Sequence, residues 1–251
     1  MEYDGFVFTH IPKCGGSSLR RLIYQNAISS AIGSAQIYVP GEGGTPHDKN
    51  IGQLSPEELK ELKAKGIRVL ADHSKYNQQL YESLGLINPF VFTVVRAPFE
   101  RFISHYNFFF KKIGHGKLKD KPIENLSKKK LEQIVKQQAN VQAAYMLNIQ
   151  PGYEQEDQIK ARIDELITTV TQQVNVIGTL DDLTACLSHI EQLRPDWLQW
   201  TAQLPLINTN EYKLDFTGIK RVRQVFAQYN QIDIRLYQLM KSVKNLKKNG
   251  V

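Results

Sequence analysis

The sequence predicts an α/β protein built on a parallel sheet, and three stretches carry that prediction. Residues 6–22 (FVFTHIPKCGGSSLRRL) pass from β-favouring residues through a Pro and Gly-Gly turn into helical spacing, with Leu19, Leu22 and Ile23 on one face. Residues 55–72 read as a helix followed by a strand, and helix–strand alternation argues for parallel pairing. Residues 90–95 (FVFTVV) form a continuous run of aromatic and β-branched residues, the pattern of a strand buried on both faces.

The first strand is expected over residues 5–10 and the first helix from 16 to about 31. The turn between them has the order strand, glycines, helix start, which presents backbone N–H groups to a phosphate. Gly15 and Gly16 allow close backbone approach, Ser17 and Ser18 add hydroxyls, and Lys13 adds a cation. An ordinary capped turn would need none of the lysine, so the combination favours an anion site. It is not a Walker A loop, because the lysine precedes the glycines.

Residues 33–53 are rich in glycine, with Pro40 and Pro46, and read as a long irregular loop in which His47 is solvated. Ser55, Pro56, Glu57 and Glu58 open the next helix as cap, first-turn proline and first-turn acids; it ends near Gly66. The strand over 67–72 follows, with His73 at its exit. Ligands of open α/β sheets bind outside the carboxyl ends of the strands, so Lys13 and His73 are expected to share one crevice. Asp72 is a candidate to orient or charge-pair with His73, while Lys75 and Tyr76 read as solvated first and as lining the acceptor site second.

Arg96 stands at the exit of the strand over 90–95, Pro98 fits a first helical turn, and Ser104 lies about two turns on. Tyr106 reads as helix core and His105 as exposed. Residues 111–130 carry eight lysines and read as a solvated run, or as a basic rim. A helix is expected over 131–147, whose Gln137, Gln138 and Asn140 are weak acceptor-side candidates, and another over 156–173. A strand over 174–179 leads into a helix that Asp182 helps to open. Two helices fill 217–246, and 245–251 reads as a frayed tail.

The chain has 251 residues and a net charge of +7, which favours anionic partners such as nucleotides and acidic glycans. No finger spacing or aromatic RNP-like strand supports nucleic acid. Cys14 and Cys186 make no disulfide framework, which suits a reducing compartment. No apolar run nears the roughly 20 residues that span a bilayer. With Met1 just before the first strand and no signal peptide, a cytoplasmic, bacterial protein is expected. No internal repeat or linker divides the chain, so one domain over 1–251 is expected.

The stretch H-I-P-K-C-G-G-S-S-L resembles the 5′-phosphosulfate loop of sulfotransferases that use 3′-phosphoadenosine 5′-phosphosulfate (PAPS), most of all the carbohydrate, heparan-sulfate 2-O-sulfotransferase-like branch. Cys14 stands where Thr is common. L-A-D-H-S-K-Y resembles the G-H-x-x-[YF] segment of carbohydrate sulfotransferases, with Asp72 in place of glycine. R-A-P-F-E-R-F-I-S-H-Y resembles the 3′-phosphate motif R-[DN]-P-x-x-R-x-x-S-x-Y, with Ala97 for the acid or amide. V-I-G-T-L-D-D-L, L-P-L-I-N-T-N and Y-N-Q-I-D-I-R-L-Y are similar to later family segments, so the resemblance runs over roughly residues 5–240.

The resemblance implies a P-loop-NTPase-like sulfotransferase fold: a three-layer α/β sandwich with a central parallel sheet and a helical C-terminal half. It implies PAPS as donor, PAP (adenosine 3′,5′-bisphosphate) as product, and no metal. Lys13, Cys14, Gly15, Gly16, Ser17 and Ser18 would hold the 5′ side. Arg96 and Ser104 would hold the 3′-phosphate, with Asn208 and Thr209 closing over the nucleotide. Arg101 matches the second arginine, with a structural role. Asp233 and Tyr237 would be structural as well. His73 would be the base and Lys13 would stabilise the leaving phosphate. The acceptor would be a carbohydrate hydroxyl; a peptide tyrosine, a lipid or a small metabolite are the other candidates. An ATP-dependent kinase and a non-catalytic binder of anionic glycan or nucleotide are the rival functions.

Overall fold

The computed structural model describes residues 2–42, 49–112, 121–201 and 219–248. In chain order the strands are β1 (Gly5–Thr9), β2 (Ile37–Tyr38), β3 (Val69–Asp72), β4 (Pro89–Val95) and β5 (Val176–Thr179). The helices are α1 (Gly16–Ser29), α2 (Pro56–Ala64), α3 (Gln78–Ser83), α4 (Pro98–Tyr106), α5 (Lys128–Gln137), α6 (Val141–Met146), α7 (Glu156–Ala161), α8 (Ile163–Thr168), α9 (Leu183–Leu193), α10 (Ile219–Tyr229) and α11 (Gln231–Lys248). They divide into two compact units, Met1–Val94 with Ile167–Thr209, and Val95–Leu166 with Asn210–Val251.

The first unit is built on a five-stranded parallel sheet of order β2-β3-β1-β4-β5, flanked by helices as the α/β class requires. Phe6 pairs with Phe90 and Phe8 with Phe92, so four rings line one face of the sheet. The Phe8 and Phe92 rings stack at 4.5 Å. Leu19, Leu22 and Ile23 of α1 and Leu187 and Ile190 of α9 join that core, as the helical spacing of α1 predicts. Val7, Leu70 and Val91 of the opposite face are also buried, which explains why these strands read as continuous apolar runs.

α2 starts as expected. Ser55 Oγ accepts from the Glu58 N–H at 3.2 Å, a Glu58 carboxylate oxygen accepts from the Ser55 N–H at 2.6 Å, and Pro56 takes the first turn. The described parts of the stretch read as an irregular loop, residues 33–42 and 49–53, hold regular elements. Ile37 and Tyr38 pair with Val69 and Leu70 as an edge strand, because both side chains bury there, and Ile51–Gln53 forms a 3-10 turn.

In the second unit, Phe102 and Tyr106 of α4, Leu131 and Val135 of α5, and Val222 and Phe226 of α10 form one core. Tyr106 is helix core, as expected, and its hydroxyl donates to the Lys121 carbonyl at 2.9 Å. The helix expected over 131–147 is two helices. Asn140 adopts φ 50°, and its N–H donates to Asn230 Oδ1 at 3.1 Å. The Asp233 carboxylate then accepts from the first N–H groups of α6, Gln142 at 3.0 Å and Ala143 at 2.9 Å. The expected helix over 156–173 likewise divides into α7, α8 and a π-helical turn at Thr169–Gln173. α11 continues to Lys248, into the stretch read as a frayed tail. Among the described residues, no helix is long and apolar enough to cross a membrane.

Candidate active site

Thr9 pairs with Asp72 across β1 and β3, so the two strands end in the same row. The ladder runs one residue further, with the His10 N–H donating to the Asp72 carbonyl at 3.2 Å. The residues that leave the two strands, His10 and His73, therefore come face to face. Their rings stack with centroids 3.8 Å apart and an interplanar angle of 29°.

After β1 the chain turns through Ile11, whose carbonyl accepts from the Cys14 N–H at 3.3 Å. Lys13 and Gly15 both have left-handed backbones, φ 70° and φ 80°. For lysine that conformation is strained, and such strain gathers where a chain must aim its backbone at a ligand. α1 then begins at Gly16 with no side-chain cap on its first N–H groups. A Cβ at Gly16 would lie 1.6 Å from His10 Nε2, and one at Gly15 would lie 2.7 Å from Leu180 Cδ1. Both glycines are thus required by space. Cys14 is buried, Ser17 is exposed and Ser18 is half-buried.

The structure gathers positive charge beside the two rings. His73 is pushed down to about 4, chiefly by burial and next by the Arg20 guanidinium, with Lys13 adding to it and a hydrogen bond to the His10 backbone opposing. His10 is held well below the ordinary histidine range by burial first, then by His73, Arg20 and Lys13. Both rings are therefore neutral at pH 7, and His73 can accept a proton. Arg20 and His10 are the residues that sequence reasoning passed over. Arg20 stands one turn inside α1, where helical spacing alone marks only an exposed position.

Asp72 does not orient the His73 ring. Its carboxylate accepts from the Ile51 N–H at 2.5 Å, the Ser74 hydroxyl at 2.7 Å and the Ser74 N–H at 3.0 Å. The acid therefore ties the 3-10 turn at 51–53 to the exit of β3, while the His73 N–H donates to Asn50 Oδ1 at 3.1 Å. Tyr76 is not solvated either: it is buried edge-on against Tyr81, with centroids 5.8 Å apart.

In the second unit, Arg96 follows β4 directly. Gln142 holds its backbone from both sides: the Arg96 N–H donates to Gln142 Oε1 at 2.9 Å, and Gln142 Nε2 donates to the Arg96 carbonyl at 3.0 Å. Pro98 opens α4 as expected, and Ser104 is buried within it. Arg101 is structural: it is buried, donates to the Gln138 carbonyl at 3.2 Å, and its charge offsets the burial that raises the Asp233 carboxyl. Asn140 shapes the α5–α6 junction instead of facing an acceptor, and its Oδ1 accepts from the Asp233 N–H at 3.3 Å. His105 is half-buried against Phe109.

His47, Asn208 and Thr209 lie outside the described residues, as do residues 113–120 of the basic segment. Among the described residues, no group of three or more His, Cys, Asp or Glu could hold a metal ion. A search of curated proteins returned no match. A family model described as "Sulfotransferase family" matches residues 2–193, which takes in β1 to α9 with the loop after β1, the exit of β3 and Arg96. On that match, which covers most of its length, the chain belongs to the sulfotransferase family.

Proposed function

We propose that this chain moves the sulfuryl group of PAPS to a hydroxyl of a carbohydrate acceptor, with His73 as base and residues 1–251 acting as one domain. The observation that carries the reading is His73 itself: a neutral ring at the exit of β3, stacked beside the start of the loop that bears Lys13. In the reaction the acceptor oxygen attacks sulfur in line, the sulfur–oxygen bond to the 5′-phosphate breaks, and the acceptor proton passes to His73. PAP leaves with the electron pair, and Lys13 stabilises the charge on the departing oxygen. The donor's negative charge raises the basicity of His73 when bound.

In this reading Cys14, Gly15, Gly16, Ser17 and Ser18 hold the 5′ side of the donor. Arg96 and Ser104 hold its 3′-phosphate, and Asn208 and Thr209 complete the nucleotide contacts. Guanidinium suits a phosphate monoester because its planar fork donates two parallel bonds. No step calls for a metal. Both cysteines are buried and outside any disulfide, which fits a reducing, cytoplasmic setting in a bacterium. A glycan acceptor fits the +7 net charge.

A thermal-shift titration with PAP beside ATP tests the donor. Stabilisation by PAP that is lost in Arg96→Ala is expected. A shift with ATP and none with PAP refutes the donor assignment and favours a kinase.

A further inference from the structure

His73 takes the proton in the proposed reaction, and its stacking partner has no part in it so far. We infer that His10 is a positioning residue for that reaction: its ring holds His73 in place and locks it to the first residue of α1. The inference rests on the His73 assignment.

Three contacts carry it. His10 is 3% exposed, and one face of its ring lies on Phe8 of the sheet core, with centroids 5.6 Å apart and planes 14° from parallel. His73 stacks on it at 3.8 Å. The Nε2 edge occupies the space that a side chain at Gly16 would need, 1.6 Å from an ideal Cβ. The ring thus touches the sheet, the base and the glycine turn that opens α1. Interiors packed this densely transmit displacement, so the Gly16 turn cannot shift without moving His10 and, through it, His73.

The ring is held by packing. Its Nδ1 is buried and makes no hydrogen bond among the described residues. When His73 is protonated, a neutral aromatic face at this distance favours the cation electrostatically, by less than the burial to which the same ring contributes disfavours it. The strong downward shift of His10 keeps its ring neutral at that moment. A phenyl ring reproduces both the packing and the face, whereas a methyl group reproduces neither.

The test uses the full chain and three variants, His10→Ala, His10→Phe and His73→Ala. His73 is titrated by NMR, PAP binding is read by thermal shift, and turnover is measured with PAPS and a chemically desulfated glycosaminoglycan. In His10→Ala, kcat falls on the order of 100-fold while the KM for PAPS stays within about threefold, since a misplacement near 1 Å costs about that much. The groups facing His73 are His10 at the exit of β1, Lys13 in the loop and Arg20 on α1. Removing the His10 ring leaves the two cations in place but admits water, so the His73 midpoint rises from about 4 toward its ordinary value, and the acid limb of kcat/KM moves up with it. His10→Phe restores most of kcat and the low midpoint. An unchanged midpoint and kcat in His10→Ala, or a His10→Phe as impaired as His10→Ala, overturns the inference. Full turnover by His73→Ala overturns the base assignment instead; the NMR titration then still decides whether His10 holds His73, whatever that acceptor does.

Discussion

Replacing Gln142 by Leu separates the stability of the second unit from the anion contact proposed for Arg96. Gln142 is buried, and its amide bonds the Arg96 backbone twice, accepting from the N–H at 2.9 Å and donating to the carbonyl at 3.0 Å, with a further side-chain hydrogen bond to the Asp233 carboxylate. Leu keeps the volume and removes all three. A neutral hydrogen bond contributes about 0.5–1.5 kcal/mol net, and a buried group left unpaired costs about 1–3 kcal/mol. About 2 kcal/mol is expected for the loss of these bonds. In a chain of this size that lowers Tm by roughly 4–8 °C. The effect on binding is separate. A charged hydrogen-bonded contact is worth about 1.5–3 kcal/mol, so an Arg96 fork freed from its position loses on the order of tenfold or more in PAP affinity. Gln142→Glu keeps the acceptor for the Arg96 N–H but sets a carboxylate against the Arg96 carbonyl, and should weaken PAP further through its charge. Calorimetric titration with PAP, paired with thermal denaturation of the unliganded protein, reads the two effects apart. A Gln142→Leu protein with lowered Tm and unchanged PAP affinity refutes the claim that this clamp serves the anion contact. If Arg96→Ala also leaves PAP affinity unchanged, the 3′-phosphate assignment falls with it.

Two further outcomes follow from the first unit. His73 and His10 both have folded-state pKa values below the unfolded one, so the unfolded chain binds more protons at acid pH. Their contribution to stability is full above about pH 6.5 and, for His73, is lost as pH falls toward 4; urea denaturation across that window should show a decline that His10→Phe with His73→Phe flattens. Gly16→Ala places a Cβ on the His10 ring, and overpacking of this kind costs about 1–3 kcal/mol. It should lower Tm and abolish stabilisation by PAP, and a variant that binds PAP normally would show that the His10 contact is not rigid.

What could be read along the chain was local chemistry. Phe6 to Ile23 announces a strand, a glycine turn and a helix because each signal lies within a few residues of the next. The Ser55–Glu58 box, Pro98 at the start of α4 and the apolar run of β4 are legible for the same reason. The sequence also marked the candidates for phosphate binding, since lysine, paired glycines and an arginine at a strand exit announce themselves by type.

The tertiary structure alone decided where those groups stand and what holds them. The helix expected across 131–147 breaks at Asn140 because its N–H finds Asn230, ninety residues away, and Asp233 caps the new helix start from a similar distance. Nothing in the local spacing of Ile134, Val135, Ala139 and Ala143 marks that break. Asp72 reads as a partner for its neighbour His73, yet its carboxylate is taken by Ile51 and Ser74. His10 reads as the last residue of the first strand, with no role beyond that; the register of β1 on β3 makes it the stacking partner of His73. In each case the deciding contact is a hydrogen bond or a ring face whose partner lies far along the chain, and only the folded backbone brings such partners within reach of one another.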